Sequence, residues 1–318
     1  MWICRPRVQV LLGEAYWPCV NFDQPAASRY LDDHPVLHHL NGVMVAPLPQ
    51  IGPGLGHLAV RSVSGSSAVT TAAVGDPMKL LVTQARGPAV WGFTTTYGGG
   101  LLAGDRIRLS LDLGADTRTF LGSQASTKVY RSDGQKVAQV AVTATLGTNA
   151  LLAWLPDPVV PYAGSRLEQS LRVDLAPTAS AVLLDAVTAG RLAREERWDL
   201  TRCISRLTVD RGGKPLLRDA LDLRSHLLRE RLGSCGVLAT LFLTGPQVAP
   251  LAASIAAEVA AAGAGPWDGG LLIGAAPKGD DLLLRLAAPA WPVAEAWLHS
   301  RLAPLTDLLD GAPWRRRP

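Results

Sequence analysis

Residues 107–113 read Ile-Arg-Leu-Ser-Leu-Asp-Leu, which puts Ile107, Leu109, Leu111 and Leu113 on one side of an extended chain and Arg108, Ser110 and Asp112 on the other. Side chains of a strand alternate with period two, so this run predicts a half-buried β-strand. The pattern recurs at short intervals on both sides. Upstream, LAVRSV at 58–63 alternates, AVTTAAV at 68–74 is rich in valine and threonine, and 79–84 follows the turn residues Gly75, Asp76 and Pro77. Downstream come 117–121, 137–146, 151–154 and 167–175; GADTRTF, GTNALLAW and APTASAVLLD each set a Gly or Pro turn before a short strand. No helix of crossover length separates these segments, which argues against βαβ units. The predicted fold class is mainly β, with many short strands in several mixed sheets, sandwich- or helix-like, and a few helices in the C-terminal third.

Those helices are read at 246–262, which ends at Gly263 and tolerates Pro250 in its first turn, and at 290–309. The second carries Val293, Ala294, Trp297, Leu298, Leu302, Leu305 and Leu309 at spacings of mostly three and four, with Pro304 as a kink or break. It is an amphipathic segment that either packs on the core or offers a partner surface. Strands are expected between the helices at 271–273 and 282–286. Residues 1–54 hold many prolines, among them Pro47, Pro49 and Pro53, without sustained periodicity, and are expected to form a poorly ordered extension. The main domain is then 55–312, followed by a basic tail, 313–318, with Arg315, Arg316 and Arg317.

Hydrophobic residues make up 48% of the 318 and charged residues 18%, enough to bury a sizeable core and unlike a disordered chain. The net charge of +4 is mild, and aromatic residues (6%) are not interleaved with basic ones, so a nucleic-acid partner is not expected. Cys4, Cys19, Cys203 and Cys235 are far apart and form no C-x-x-C pair, which fits a reducing compartment. Arg5, Arg7 and Glu14 interrupt the apolar start, and no run approaches the ~18 apolar residues of a membrane span. These features predict a soluble, cytoplasmic protein with no membrane partner.

The densest motif is TTYGGGLLAGD at 95–105, with Gly98, Gly99, Gly100 and Gly104. A phosphate loop needs Lys-Ser/Thr after its last glycine, but Asp105 and Arg106 follow here. A dinucleotide loop opens a helix, whereas a strand is predicted next. The glycines are instead read as supplying positive φ or close backbone approach at a sheet corner, with Asp105 bonding local backbone. Nucleophilic catalysis finds little support: Ser123, Ser126 and Thr127 have no histidine nearby in sequence, His226 and His299 are isolated, and no G-x-S-x-G elbow is present.

With four further segments, this motif resembles the signature of the urease accessory UreD (UreH) family. The segments are QASTKVYRS at 124–132, LAWLPDP at 152–158, GRLAREERW at 190–198 and KPLLRD at 214–219. Their order and spacing carry the match, and the residues that mark it include Lys128, Tyr130, Arg131, Gly190 and Arg191. Glu195 stands where the family often has glycine. The resemblance implies a mainly β fold and a non-enzymatic scaffold that binds apo-urease and, with UreF- and UreG-type partners, supports nickel insertion.

No tightly bound cofactor is implied, nickel being in transit. Borderline metals accept carboxylates loosely, which makes Asp105, Asp157, Glu195 and Glu196 candidates for passing the ion. Against this, Asp105 could cap a turn, Asp157 could sit in a Pro-Asp-Pro turn, and the glutamates could pair with Arg191, Arg194 or Arg197. His34, His38 and His39 have spacings a helix could bring to one metal, or are plain surface histidines. Lys128, Tyr130 and Arg131 read as an aromatic anchor flanked by cations, or as an interaction rim. The alternative from another class is a small hydrolase or ligand-binding β protein using the 98–105 loop.

Overall fold

A computed structural model of the chain describes residues 51–83, 87–263 and 265–312. The N-terminal half supplies strands β1 (Leu55–Val63), β2 (Ser66–Val74), β3 (Met78–Val82), β4 (Ala89–Thr96), β5 (Gly100–Leu101), β6 (Arg106–Leu113), β7 (Arg118–Ser123), β8 (Thr127–Val129), β9 (Ala138–Leu146) and β10 (Leu151–Trp154). Then follow β11 (Val159–Pro161), β12 (Arg166–Leu175), β13 (Ser180–Thr188), β14 (Arg202–Arg211) and β15 (Lys214–Leu223). The last third is α1 (Ser225–Leu232), β16 (Val237–Thr244), α2 (Ala249–Ala262), β17 (Leu272–Lys278), β18 (Asp281–Ala288), α3 (Trp291–Arg301) and α4 (Leu305–Leu309).

Two sheets carry the architecture. The first runs β15-β14-β12-β9-β6-β1-β2 and the second β17-β18-β16-β13-β10-β7-β4-β3, with β5, β8 and β11 attached to the latter. The middle of each sheet is parallel: β1, β6, β9, β12 and β14 in one, β4, β7, β10 and β13 in the other. Parallel strands need long return connections, usually helices. Here the return path from β6 to β9 is β7 in the opposite sheet, and the path from β9 to β12 is β10. The chain therefore coils like a solenoid, which explains how parallel pairing arises from a sequence with no crossover helices. Corresponding positions stack across coils, as in Leu109 beside Val142, Val142 beside Leu171, and Leu171 beside Leu207.

The alternation at 107–113 has its expected consequence. Ile107, Leu109, Leu111 and Leu113 are buried between the sheets, while Arg108 on the opposite face is exposed. A second core covers the other face of the second sheet, where Leu184, Leu241 and Leu284 meet Ile255 of α2, Leu298 of α3 and Leu305 of α4. Buried on both faces, β13 and β16 read as near-continuous apolar runs, whereas β18 alternates and leaves Arg285 exposed.

The C-terminal third settles the open readings and corrects two. The segment 290–309 is two helices, α3 and α4, parted at Pro304, which has no N–H to continue the ladder. Its apolar residues Ala294, Trp297, Leu298, Leu302, Leu305 and Leu309 are buried, so they pack on the core and do not form a partner surface. The helix expected at 246–262 starts at Ala249, because a turn closed by Val248 N–H to Gly245 O (3.1 Å) comes first. The short helix α1 was not expected. Among the described residues, no helix is long and apolar enough to cross a membrane.

Candidate functional site

The glycine motif forms a loop between β4 and β6 at one end of the coil. Gly98 (φ +72°) and Gly99 (φ +69°) lie in the left-handed region that favours glycine. Gly100 is extended and serves close approach instead: a β-carbon there would stand 2.5 Å from Lys128 O and 2.8 Å from the Tyr130 ring. Asp105 closes the loop, its Oδ2 accepting Leu102 N–H at 2.7 Å and its own N–H donating to Leu102 O at 3.1 Å. Tyr130 ties the loop to β8, donating its hydroxyl to Gly98 O at 3.1 Å. We expect Gly100→Ala to cost about 1–3 kcal/mol by overpacking, measured by urea denaturation. A cost indistinguishable from zero would show that the loop can move away from β8.

Behind this loop, between the sheets, lies a cavity of about 160 Å³. Thr94, Thr95, Thr96, Ser126 and Thr127 line it on the loop side, where exposed Gly99 and Ala125 also border it. The stacked Leu109, Val142, Leu171 and Leu207 form one wall. Two carboxylates, Asp157 and Asp185, face it. The lining is mostly apolar, and its polar groups, Asp157, Asp185 and the hydroxyls, can anchor water in a space that has room for several molecules.

Asp157 is 8% exposed, and its backbone N–H donates to Ser123 Oγ at 2.8 Å. Asp185 stands on the inward face of β13 between Leu183 and Val187. Gln169 Nε2 donates to Asp185 Oδ1 at 2.8 Å and to Ser205 Oγ at 3.0 Å, and the Ser205 hydroxyl donates to the other carboxylate oxygen. Burial pushes the Asp185 carboxyl up from its ordinary range, against the opposing pull of these hydrogen bonds. Asp185 also borders a second cavity of about 450 Å³ beneath β16 and β18. There Arg285 donates to Thr240 Oγ1 at 2.6 Å and pairs with Asp219. Asp185 thus borders both cavities, each lined mostly by apolar side chains.

Residues 53–317 match the family described as UreD urease accessory protein. The chain belongs to the UreD family. It is 38% identical over 295 residues to the urease accessory protein UreD of Anaeromyxobacter sp. (strain Fw109-5), covering 90% of this chain and 99% of that protein. To the UreD of Sorangium cellulosum (strain So ce56) it is 39% identical over 269 residues, 83% of this chain and 84% of the relative. With urease accessory protein D of Arabidopsis thaliana it shares 31% over 202 residues, covering 61% and 68% respectively. A role in urease maturation follows from this membership.

In this UreD-family chain the candidate carboxylates do not converge. Asp157 alone of the four lines the cavity, since Asp105 caps its own turn. Exposed Glu195 takes a left-handed conformation (φ +61°) at the end of a short 3-10 turn, a position glycine adopts without strain. Glu196 is held by Arg191, whose Nε donates at 2.8 Å, and accepts Ala163 N–H at 3.2 Å; the guanidinium keeps this carboxyl below its usual range. Arg191 also lies 4.1 Å over the Tyr162 ring, which meets Tyr130 edge-on at 5.4 Å. Arg191, Glu196, Tyr162 and Tyr130 are therefore one structural cluster, joined at Gly190 (φ +111°), where a β-carbon would come within 2.8 Å of Pro161 O. Arg131 is exposed at 3.9 Å from Asp133. His34, His38 and His39, like Arg315, Arg316 and Arg317, lie outside the described residues. Among the described residues, no group of three or more His, Cys, Asp or Glu is placed to hold a metal.

Sequence reasoning missed Asp185, Gln169 and Ser205. The available signal was Asp185 itself, the single charge in the run SAVLLDAVT of β13.

Proposed function

We propose that this chain is a non-catalytic cytoplasmic scaffold that binds apo-urease and works with UreF- and UreG-type partners while nickel is installed. The ion is cargo, not a resident cofactor. The observation that carries this reading is the cavity between the sheets, bordered by the glycine loop and, within a mostly apolar lining, faced by Asp157 and Asp185. Oxygen ligands bind a borderline divalent ion more loosely than imidazole or thiolate. Spaced carboxylates, rather than a closed set of three or four ligands, suit passage over storage.

A hydrolytic reading of the 98–105 loop finds less support. The loop's own carboxylate is taken up by Leu102 N–H. His57 does contact Ser110 at 2.8 Å, but Ser110 lies on the outward face of β6, opposite the buried leucines, and donates to Gly56 O at 3.2 Å.

Co-expression with urease subunits and the UreF-type partner should recover the three together on affinity capture of this chain. Absence of both from the captured material would defeat the scaffold reading. Asp105→Ala, which removes a turn cap and no cavity group, should impair capture and urease activation together. Full capture with lost activation would instead assign the Asp105 carboxylate to the ion.

A further inference from the structure

Three lysines from separate parts of the chain close on the glycine loop. The Lys79 ammonium stands 3.8 Å from the centre of the Tyr97 ring. That of Lys128 lies 3.7 Å from where a β-carbon on Gly99 would be, and the Lys136 stem 3.6 Å from the same point on Gly104. Among the described residues, none of the three pairs with a carboxylate. The loop's own acid, Asp105, is engaged by Leu102 N–H; of the acids on nearby turns, exposed Asp133 stands 3.9 Å from Arg131 and Asp76 is exposed. Between the lysines the loop presents Tyr97, 51% exposed, and Leu102, 60% exposed.

This rim is at odds with the space behind it. Asp157 and Asp185 suit a cation, yet a cation approaching past Gly99 first meets ammonium groups, and like charges at such range repel. A segment bearing carboxylates meets the opposite situation. Its acids find lysines that no carboxylate pairs, and its apolar side chains find an exposed tyrosine and leucine, a pairing of charge complementarity with aromatic contact found at protein interfaces.

We propose that the 97–105 loop is a docking surface for a carboxylate-rich segment of a partner protein. The acids of that segment neutralise Lys79, Lys128 and Lys136, and its apolar side chains cover Tyr97 and Leu102. Entry of an ion at this end then depends on docking, because only the docked partner removes the repulsion. The inference rests on the scaffold reading and adds to it the chemistry of the partner at this face.

The test uses the full chain and a short fluorescein-labelled peptide of alternating glutamate and leucine, followed by fluorescence anisotropy. The peptide should bind, with affinity falling roughly tenfold or more in Lys79→Glu/Lys128→Glu and also on raising salt to about 0.5 M, where the Debye length drops to only a few ångströms. Equal binding by the wild type and the double variant would overturn the proposal. So would equal binding of a lysine–leucine peptide, or displacement by inorganic phosphate at matched ionic strength, which would mark a small-anion site. Lys128→Gln, at an exposed position, gives a second reading if the double variant does not fold, and should weaken the peptide severalfold. Urease co-capture of the wild type separates the two ideas. Normal co-capture with charge-indifferent peptide binding removes the docking surface alone, whereas absent co-capture removes the scaffold reading.

Discussion

Trp198→Ala should lower the unfolding free energy by about 3–5 kcal/mol, a large part of what holds a typical domain folded. Trp198 is fully buried, its indole Nε1–H donates to Cys235 O at 2.8 Å, and its backbone N–H donates to Ala189 O at 2.6 Å. These contacts close the base of the loop between β13 and β14 that carries Gly190, Arg191 and Glu196. Trp198→Ala would leave a cavity and reduce Cys235 O to a single donor, Arg197 at 3.1 Å. Trp198→Phe keeps most of the volume and should lose about 0.5–1.5 kcal/mol through the missing indole donor, since Cys235 O keeps its bond from Arg197. Urea denaturation followed by circular dichroism measures both. A loss under about 1 kcal/mol for the alanine variant would show that the 189–198 loop collapses to fill the space.

Asp185→Asn should separate stability from function. Burial raises the carboxyl of Asp185 in the folded protein above its unfolded value. A group shifted this way costs stability as pH rises through and above the unfolded carboxylate range, because the folded state resists giving up the proton. Below that range wild type and Asp185→Asn should be equally stable; above it the amide should match or exceed the carboxylate. Thermal unfolding at pH 3.5, 5 and 8 would show the gap opening with pH, and a gap that closes instead would refute the assigned direction. If the carboxylates pass the ion, the same variant, and Asp157→Asn likewise, should lower urease activation in reconstitution by roughly ten- to hundredfold, as loss of metal-orienting groups commonly does. Full activation by the double variant would remove the cavity from the nickel route.

Much of the architecture was legible in the residues. The strand at 106–113 was readable because one of its faces is buried and the other wet. The helix at 290–309 was readable as apolar spacing, and Pro304 already marked where it divides. The glycine loop could be read as a backbone corner, since three of its four motif glycines take positive φ and Gly100 leaves no room for a β-carbon. The site was less legible. Of the four carboxylates chosen from the motifs, one lines the cavity, because motif residues here mostly hold the loop and the 190–198 segment in shape. Asp185, Gln169 and Ser205 belong to β13, β12 and β14, and period-two alternation says only that each faces one side of its own strand.

The sequence by itself determined which segments extend, where they turn, and to which family the chain belongs, because alternation, glycine spacing and motif order are local properties. Tertiary structure alone decided that the strands stack in parallel coils, that Gln169 and Ser205 meet Asp185, and that lysines from three places ring the glycine loop. Such meetings depend on the register between coils, in which Leu109, Val142, Leu171 and Leu207 stand side by side. That register is set by the packing of two sheets against each other, a non-local balance that no single stretch of chain encodes.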